Sequence, residues 1–343
     1  MDELNIMNLK GSMMLNHRED YLKQIVRAEG AALAPSADPY AAASHARYHG
    51  HPLAYICIFS SNYVAVVDLA QGRRLFDITV GLGPLDITIN RYGNRAYVSN
   101  FSENTLSVID LIANAVSDTV PVGSFPAGVK TSPDGKYLYV VHYGEPNVYV
   151  LDAYTLQKIV EIPLPSEGFQ IDITKDGAFA YVTLRNAGQV AVIDLRVNLV
   201  VKVLSTGAGA ECVVFDQENR LAFVSNEDDN SVTPINVQLA QAASPNIVMS
   251  PGPVGMVLTH LGKTFYVANR LAQTVSVFDV FSRTEQLAIN VGNGPYGMAI
   301  TTDERIIAVT NSFEDTVSLI SACDNRVYVT VTVGFAPAFL AIL

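Results

Sequence analysis

The chain has 343 residues, a formal net charge of −11 and a pI near 4.9, with 49% hydrophobic and 16% charged residues and no tryptophan. An acidic chain without clustered Lys and Arg is not expected to bind nucleic acid, since neutralising a phosphate backbone requires such clusters. Three cysteines, Cys57, Cys212 and Cys323, are an odd and sparse set that argues against a disulfide framework.

The first residues, MDELNIMNLKGSMMLNHRED, place Asp2 and Glu3 at the start and contain no unbroken apolar core, so they do not read as a secretory signal. No run approaches the ~20 apolar residues of a membrane span. The expectation is a cytoplasmic protein with no membrane partner. Asn16 followed by Glu19 fits a helix cap with an acid three residues on, and Tyr21, Leu22, Ile25 and Val26 then make one apolar stripe. With Gly30 as a stop, 17–29 is predicted as a short amphipathic helix, docked on the body of the protein or on another subunit. The second arrangement would give a homo-oligomer through this arm. Residues 31–44, AALAPSADPYAAAS, read as a small-residue linker. His45, His49 and His51 follow. Imidazoles at i and i+4 share a helical face and a third could complete a transition-metal site, although a solvated segment carrying histidines fits the same spacing. Residues 1–52 thus form an N-terminal arm.

From residue 53 onward the chain repeats itself. Asp68, Asp110, Asp152, Asp194, Asn236, Asp279 and Ser321 close equivalent apolar-alternating runs, with spacings of 42, 42, 42, 42, 43 and 42 residues. Seven copies at constant spacing mean a repeat architecture. One copy reads AGVKTS (127–132), the turn SPDGK, YLYVVH (137–142), the turn YGEPN, VYVLD (148–152), a turn at AYTL and QKIVEI (157–162). Four short alternating strands with Pro, Asp and Gly in the turns make one antiparallel sheet of the kind that forms a propeller blade. The chain ends on APAFLAIL (336–343), which matches a first strand, whereas LAYICIF (53–59) matches a second strand. The predicted fold is therefore all-β. It is a seven-bladed β-propeller of four-stranded antiparallel blades over 53–343, closed by the C-terminal strand joining the N-terminal blade, with a short helical arm.

YVSN (97–100), FVSN (223–226), YVAN (266–269) and AVTN (308–311), with the connections VGSFP (122–126) and VGNGP (291–295), resemble the YVTN β-propeller repeat family. The resemblance spans about 290 residues. It implies the propeller fold and a kinship with surface-layer-type proteins and redox-enzyme domains. It carries no catalytic motif to transfer.

Functional residues are expected where copies depart from the repeat. Stacking the first strands gives one ring of Asp86, Gly128, Gln170, Cys212, Gly255, Gly297 and Phe339, and a second of Thr88, Lys130, Asp172, Val214, Val257, Ala299 and Ala341. The intervening position is apolar in every copy, so the variable parity is the one expected to face the central channel. Glu167 and Glu211 lie in the approaches to these strands, and the strand 2–3 turns add Phe59, Phe101, Tyr143, Arg185, Glu227, Arg270 and Ser312. The Asn of the repeat, kept at 100, 226, 269 and 311, reads as a turn cap, and so do Asp110 and its equivalents. His142 stands where Asn is expected. With Lys130 and Asp172 it forms the catalytic candidate set; Asp86, Tyr143, Glu167, Gln170, Arg185, Glu211 and Arg270 are ligand-binding candidates. Lys130–Asp172 reads equally as an ion pair that only satisfies the channel.

Two functions of different class follow. One is a scaffold that binds a small molecule or a protein on its loop face or in its channel. The other is an enzyme, a lactonase-like hydrolase or an isomerase, with His142 or a carboxylate as general acid/base and Lys130 or Arg185 stabilising an oxyanion. A weaker third reading makes His45, His49 and His51 a metal site.

Overall fold

The computed structural model describes residues 50–243, 245–259 and 263–343. The expected helix 17–29, the linker, and His45 and His49 lie outside the described residues. The described part is built of seven antiparallel sheets, one per repeat. Blade 2 runs Pro84–Ile89, Arg95–Asn100, Thr105–Asp110 and Ala115–Pro121 from the inside outward, and blades 3 to 7 follow in chain order. In blade 5 the outer strand is split into Gln241–Ala242 and Ile247–Val248. Blade 1 takes its inner strand, Pro337–Ile342, from the end of the chain and pairs it with Leu53–Ile58. The ring therefore closes as the repeat register requires. Among the described residues no helix is long and apolar enough to cross a membrane.

Apolar residues occur at both parities of the middle strands because each blade is covered on both faces. Val141, Val148 and Ile162 of blade 3 pack with Ile171, Val182 and Ile193 of blade 4 in one continuous cluster. The repeat words themselves are joints. Pro84 pairs with Asn100 and Ile87 with Val98, so Leu85 and Asp86 form a β-bulge opposite Ser99. The Ser99 hydroxyl accepts from the Asp86 N–H (3.0 Å) and donates to Ala127 O of the next blade (2.7 Å). Thr183, Ser225 and Thr310 repeat this joint, reaching Glu211 O, Val254 O and Ala338 O. Cys57 fills the same place in blade 1, fully buried, with burial pushing its thiol well up.

The repeat Asn does something other than cap a turn. Asn100 Nδ2 donates to Thr105 Oγ1 and Ser107 Oγ, both at 2.9 Å, and Asn226, Asn269 and Asn311 bridge the same two third-strand hydroxyls. The aspartates are turn caps. Asp110 Oδ1 accepts from the N–H groups of Ile112 and Ala113, which holds its carboxyl below the usual range.

Candidate functional site

The bulge decides which side chains reach the channel. Both residues of each bulge turn inward, so a ring absent from strict alternation, containing Phe169, Glu211 and Tyr296, lies above the ring of Asp86, Gln170, Cys212 and Phe339. Phe169 and Phe339 come from blades 4 and 1, on opposite sides of the ring, yet their ring centroids are 6.5 Å apart. Phe339 contacts Tyr296 of blade 7 at 4.9 Å, and the Tyr296 hydroxyl donates to Glu211 Oε1 of blade 5 at 2.7 Å. All four side chains are buried. This layer stops the channel beneath the loop face.

Above the stopper stands a network of ions. Arg185 Nε donates to Glu211 Oε2 (2.6 Å), and its Nη2 donates to Glu227 Oε2 (2.7 Å) and Asp228 Oδ1 (3.4 Å). Arg270 Nη1 reaches Glu227 Oε1 at 3.3 Å, and its guanidinium lies over the rings of Tyr296 and Phe313. Arg185 is presented by a short 3-10 turn, Arg185–Ala187, that replaces the ordinary 2–3 turn in blade 4. Across the mouth, on blades 1 to 3, the loops carry rings instead: Phe101 lies at centroid distances of 5.1 to 6.3 Å from each of Phe59, Phe125 and Tyr143. The 2–3 loops as a set hold Glu103, Glu145, Glu227, Asp228, Asp229, Glu314 and Asp315 against Arg185 and Arg270, so the loop face is acidic.

Below the stopper the inner strands are polar in blades 2 to 4 and apolar at the equivalent positions of the others. Lys130 Nζ lies 2.8 Å from Asp172 Oδ1, and the lysine side chain is 41% exposed. Asp172 is the main reason its ammonium is held above the usual lysine range, with Asp86 adding to it. The equivalent positions of blades 5, 6, 7 and 1 hold Val214, Val257, Ala299 and Ala341, of which Val214 and Ala299 pack against the cores between blades. Cys212 of blade 5 has its thiol pushed up to about 12 by burial and then by the neighbouring acids. Asp86 accepts from the N–H groups of Ile87 and Val129, each at 2.9 Å. Burial raises its carboxyl to about 6 against those hydrogen bonds and the pull of Gln170 and Lys130. Its folded pKa lies above the unfolded value, so its stabilisation is complete below pH ~4 and is lost as pH rises through about 6. Between about pH 4.5 and about pH 7.5, wild type is expected to lose about 2 kcal/mol relative to Asp86→Asn, read by urea unfolding at each pH.

The structure separates the sequence candidates. Asp86, Lys130, Gln170 and Asp172 lie together at the inner edge of blades 2 to 4, whereas Arg185, Arg270 and Tyr143 belong to the loop side of the stopper and Glu211 to the stopper itself. Glu167 is half-buried in the approach to blade 4. His142 leaves the catalytic candidates for a physical reason. It is 0% exposed, its Nδ1–H donates to Asn147 Oδ1 (2.7 Å) and its Nε2 accepts from the Gly123 N–H (3.1 Å). Desolvation lowers its pKa and keeps it neutral, as this pairing requires. A Cβ on Gly123 would lie 2.9 Å from the imidazole, so the glycine is what lets the ring in. The pair His142–Asn147 replaces the bridge from Asn to Thr or Ser of blades 2, 5, 6 and 7. His51 Nδ1 lies 3.1 Å from Asp68 Oδ2, and among the described residues no group of His, Cys, Asp and Glu is placed to hold a metal ion.

A family model described as YNCE-like beta-propeller matches residues 198–301, and one described as cytochrome D1 heme domain matches residues 53–173. These matches place the chain among β-propellers. No curated protein sequence matches it significantly. Among solved structures it is similar to hydrazine synthase of Kuenenia stuttgartiensis, at 20% identity over 77% of this chain and 90% of that one, with a TM-score of 0.71. It is also similar to a functionally unknown protein of Desulfotomaculum acetoxidans (18% identity, 84% and 98% covered, TM-score 0.75). A putative 6-phosphogluconolactonase of Bacteroides uniformis is a third (14% identity, 85% and 100% covered, TM-score 0.72). At these identities the likeness shows the fold alone.

The second family model raises the question of a haem. Haem iron takes an axial His, Cys, Met or Tyr. At the channel-facing described positions the donors are Cys212, whose thiol stays protonated, and Tyr296, which is bonded to Glu211. Phe169 and Phe339 meet across the ring at a centroid distance of 6.5 Å. The channel does not fit a haem.

Proposed function

We propose that the propeller is a binding scaffold that holds a small molecule inside its channel, below the stopper, entered from the face opposite the 2–3 loops. The observation that carries this reading is the Lys130–Asp172 pair, partly exposed on the inner strands, where the equivalent positions of the other blades are small and apolar. Asp172 takes one of the three lysine donors, leaving the others for a ligand beside a carboxylate oxygen. A matching ligand offers an acceptor to Lys130 and a donor to Asp172 along one edge and little polarity along the other. Asp86 and Asp172 together disfavour a phosphorylated or polyanionic ligand. The joint made by the Ser/Thr and Asn of the repeat also supports a YVTN-type reading of the blades.

A second reading is favoured by the place of Asp86, buried with its carboxylate on the Val129 N–H next to Lys130, where burial raises its carboxyl to about 6. It makes the channel a hydrolase or isomerase site with Asp86 as general acid/base and Lys130 as the oxyanion partner. A lactone would suit that pair, and a putative 6-phosphogluconolactonase is among the proteins of similar fold.

Native mass spectrometry of the full-length protein and of Lys130→Met tests the binding reading. Wild type is expected to carry a small-molecule mass that Lys130→Met lacks, with melting temperatures within about 3 °C because the pair is solvent-facing. Equal masses in the two proteins contradict it. Turnover of a lactone panel that Asp86→Asn abolishes would favour the enzyme.

A further inference from the structure

In six blades the residue that leads into the inner strand has a left-handed backbone. Gly83, Gly209, Gly252 and Gly294 have φ of 63° to 75°, Ala336 has 56°, and Phe125 has 50°. The conformation is imposed by hydrogen bonds at both ends. The Phe125 N–H donates to Asn104 Oδ1 (2.8 Å), and its carbonyl accepts from the Tyr143 N–H (2.9 Å), as Gly83 does with Asn62 and Phe101. An L side chain is strained there, and a bulky one most of all.

Packing gives no reason for a Phe. In four blades the glycine lies under a loop side chain, Ser102, Asp228, Leu271 or Phe313, and needs no strain. Blade 3 inverts the pair, with Gly144 in the loop and Phe125 on the strained backbone; a Cβ on Gly144 would come within 2.6 Å of the Phe125 ring. Leu156 also has a left-handed backbone, but its side chain packs into the core between blades 2 and 3. Phe125 instead remains 45% exposed, its ring tilted against Phe101 at 5.1 Å, with Tyr143 also against Phe101 at 6.3 Å. The inversion therefore spends strain to present an aromatic platform on the loop face.

The surroundings of the platform select its occupant. Glu103 and Glu145 flank it, held by the N–H groups of Leu82 and Ser124, and the two arginines of the loop set are paired to acids on the far side of the mouth. Aromatic faces in an acidic field attract a cation. We propose that the Phe101–Phe125–Tyr143 platform docks a basic segment of a partner protein, with an arginine or lysine side chain over the Phe125 ring and Glu103 and Glu145 as counter-charges. This docking site is separate from the channel, since the stopper lies between them.

The probe is a fluorescein-labelled, acetylated and amidated peptide of alternating Gly and Arg, titrated at low salt into full-length wild type and Phe125→Gly. Saturable binding is expected, weakened at least about fivefold by Phe125→Gly and weakened in wild type by added salt. The same variant is expected to melt at or above the wild-type temperature, because the left-handed strain is released. Absence of saturable binding, or equal affinity of the two proteins, overturns the proposal. A lower melting temperature in Phe125→Gly does so as well, since the ring would then be a packing element. Displacement of the peptide by tetramethylammonium at comparable concentration would mark a small-cation site instead. A wild-type dimer that Phe125→Gly converts to monomer would mark a second copy as the occupant. Either result replaces the partner segment and overturns the proposal.

Discussion

A chain ending at residue 336 is expected to show no cooperative native state. Pro337–Ile342 is the inner strand of blade 1, paired through Ala54–Ile342, Tyr55–Ala341 and Ile56–Leu340 and tied at its end by reciprocal bonds between Leu53 and Leu343. Leu340 packs with Ile56, Ala308 and Leu319 at the seam between blades 7 and 1, and Phe339 belongs to the channel stopper. Losing two such buried side chains costs roughly 2–5 kcal/mol each, and the cut also leaves the Leu53–Ile58 edge unpaired. That sum approaches the whole stability of an ordinary domain, about 5–15 kcal/mol. Near-UV circular dichroism in a urea titration reads the effect. An unchanged midpoint would mean that the C-terminal strand is not what closes the ring.

The second large effect is expected from Glu211→Ala. Glu211 is 0% exposed and serves Arg185 with one oxygen and Tyr296 with the other. Removing one member of a buried ion pair typically costs about 3–5 kcal/mol, because the partner charge stays desolvated. Glu227 and Asp228 still serve Arg185, so the lower figure, about 3 kcal/mol, is expected. Asp228→Ala is the control. Its carboxylate is 43% exposed and 3.4 Å from Arg185, and its loss is expected to cost under about 1 kcal/mol in the same urea titration.

The blades were legible because packing between sheets imposes one residue class at fixed positions, which a constant period of about 42 residues exposes. That Asp86, Lys130, Gln170 and Asp172 share one variable parity of the inner strands was legible, because polarity there varies between copies. Phe169 and Tyr296 escaped it because a β-bulge turns two consecutive residues to one side, and strict alternation has no place for that. The signal was present in the hydroxyls of Ser99, Thr183, Ser225 and Thr310, which face the bulges, but only the hydrogen bonds explain it. His142 misled for a different reason. Its departure from Asn is answered five residues later by Asn147, a compensation visible only once the strand ends are seen to touch. The separation of channel from loop face was not legible at all. It depends on Phe169 and Phe339 meeting across the ring, and nothing in one strand reports on the blade three places away.

A crystal structure of the natively purified full-length protein, at a resolution that orders waters, tests the separation of channel and loop face together with the channel site. The expected result is a closed layer of Phe169, Phe339, Tyr296 and Glu211, with density that is not water against Lys130 Nζ and Asp172 below it. A column of waters running from Glu227 through that layer to Lys130, with nothing else bound, would contradict both.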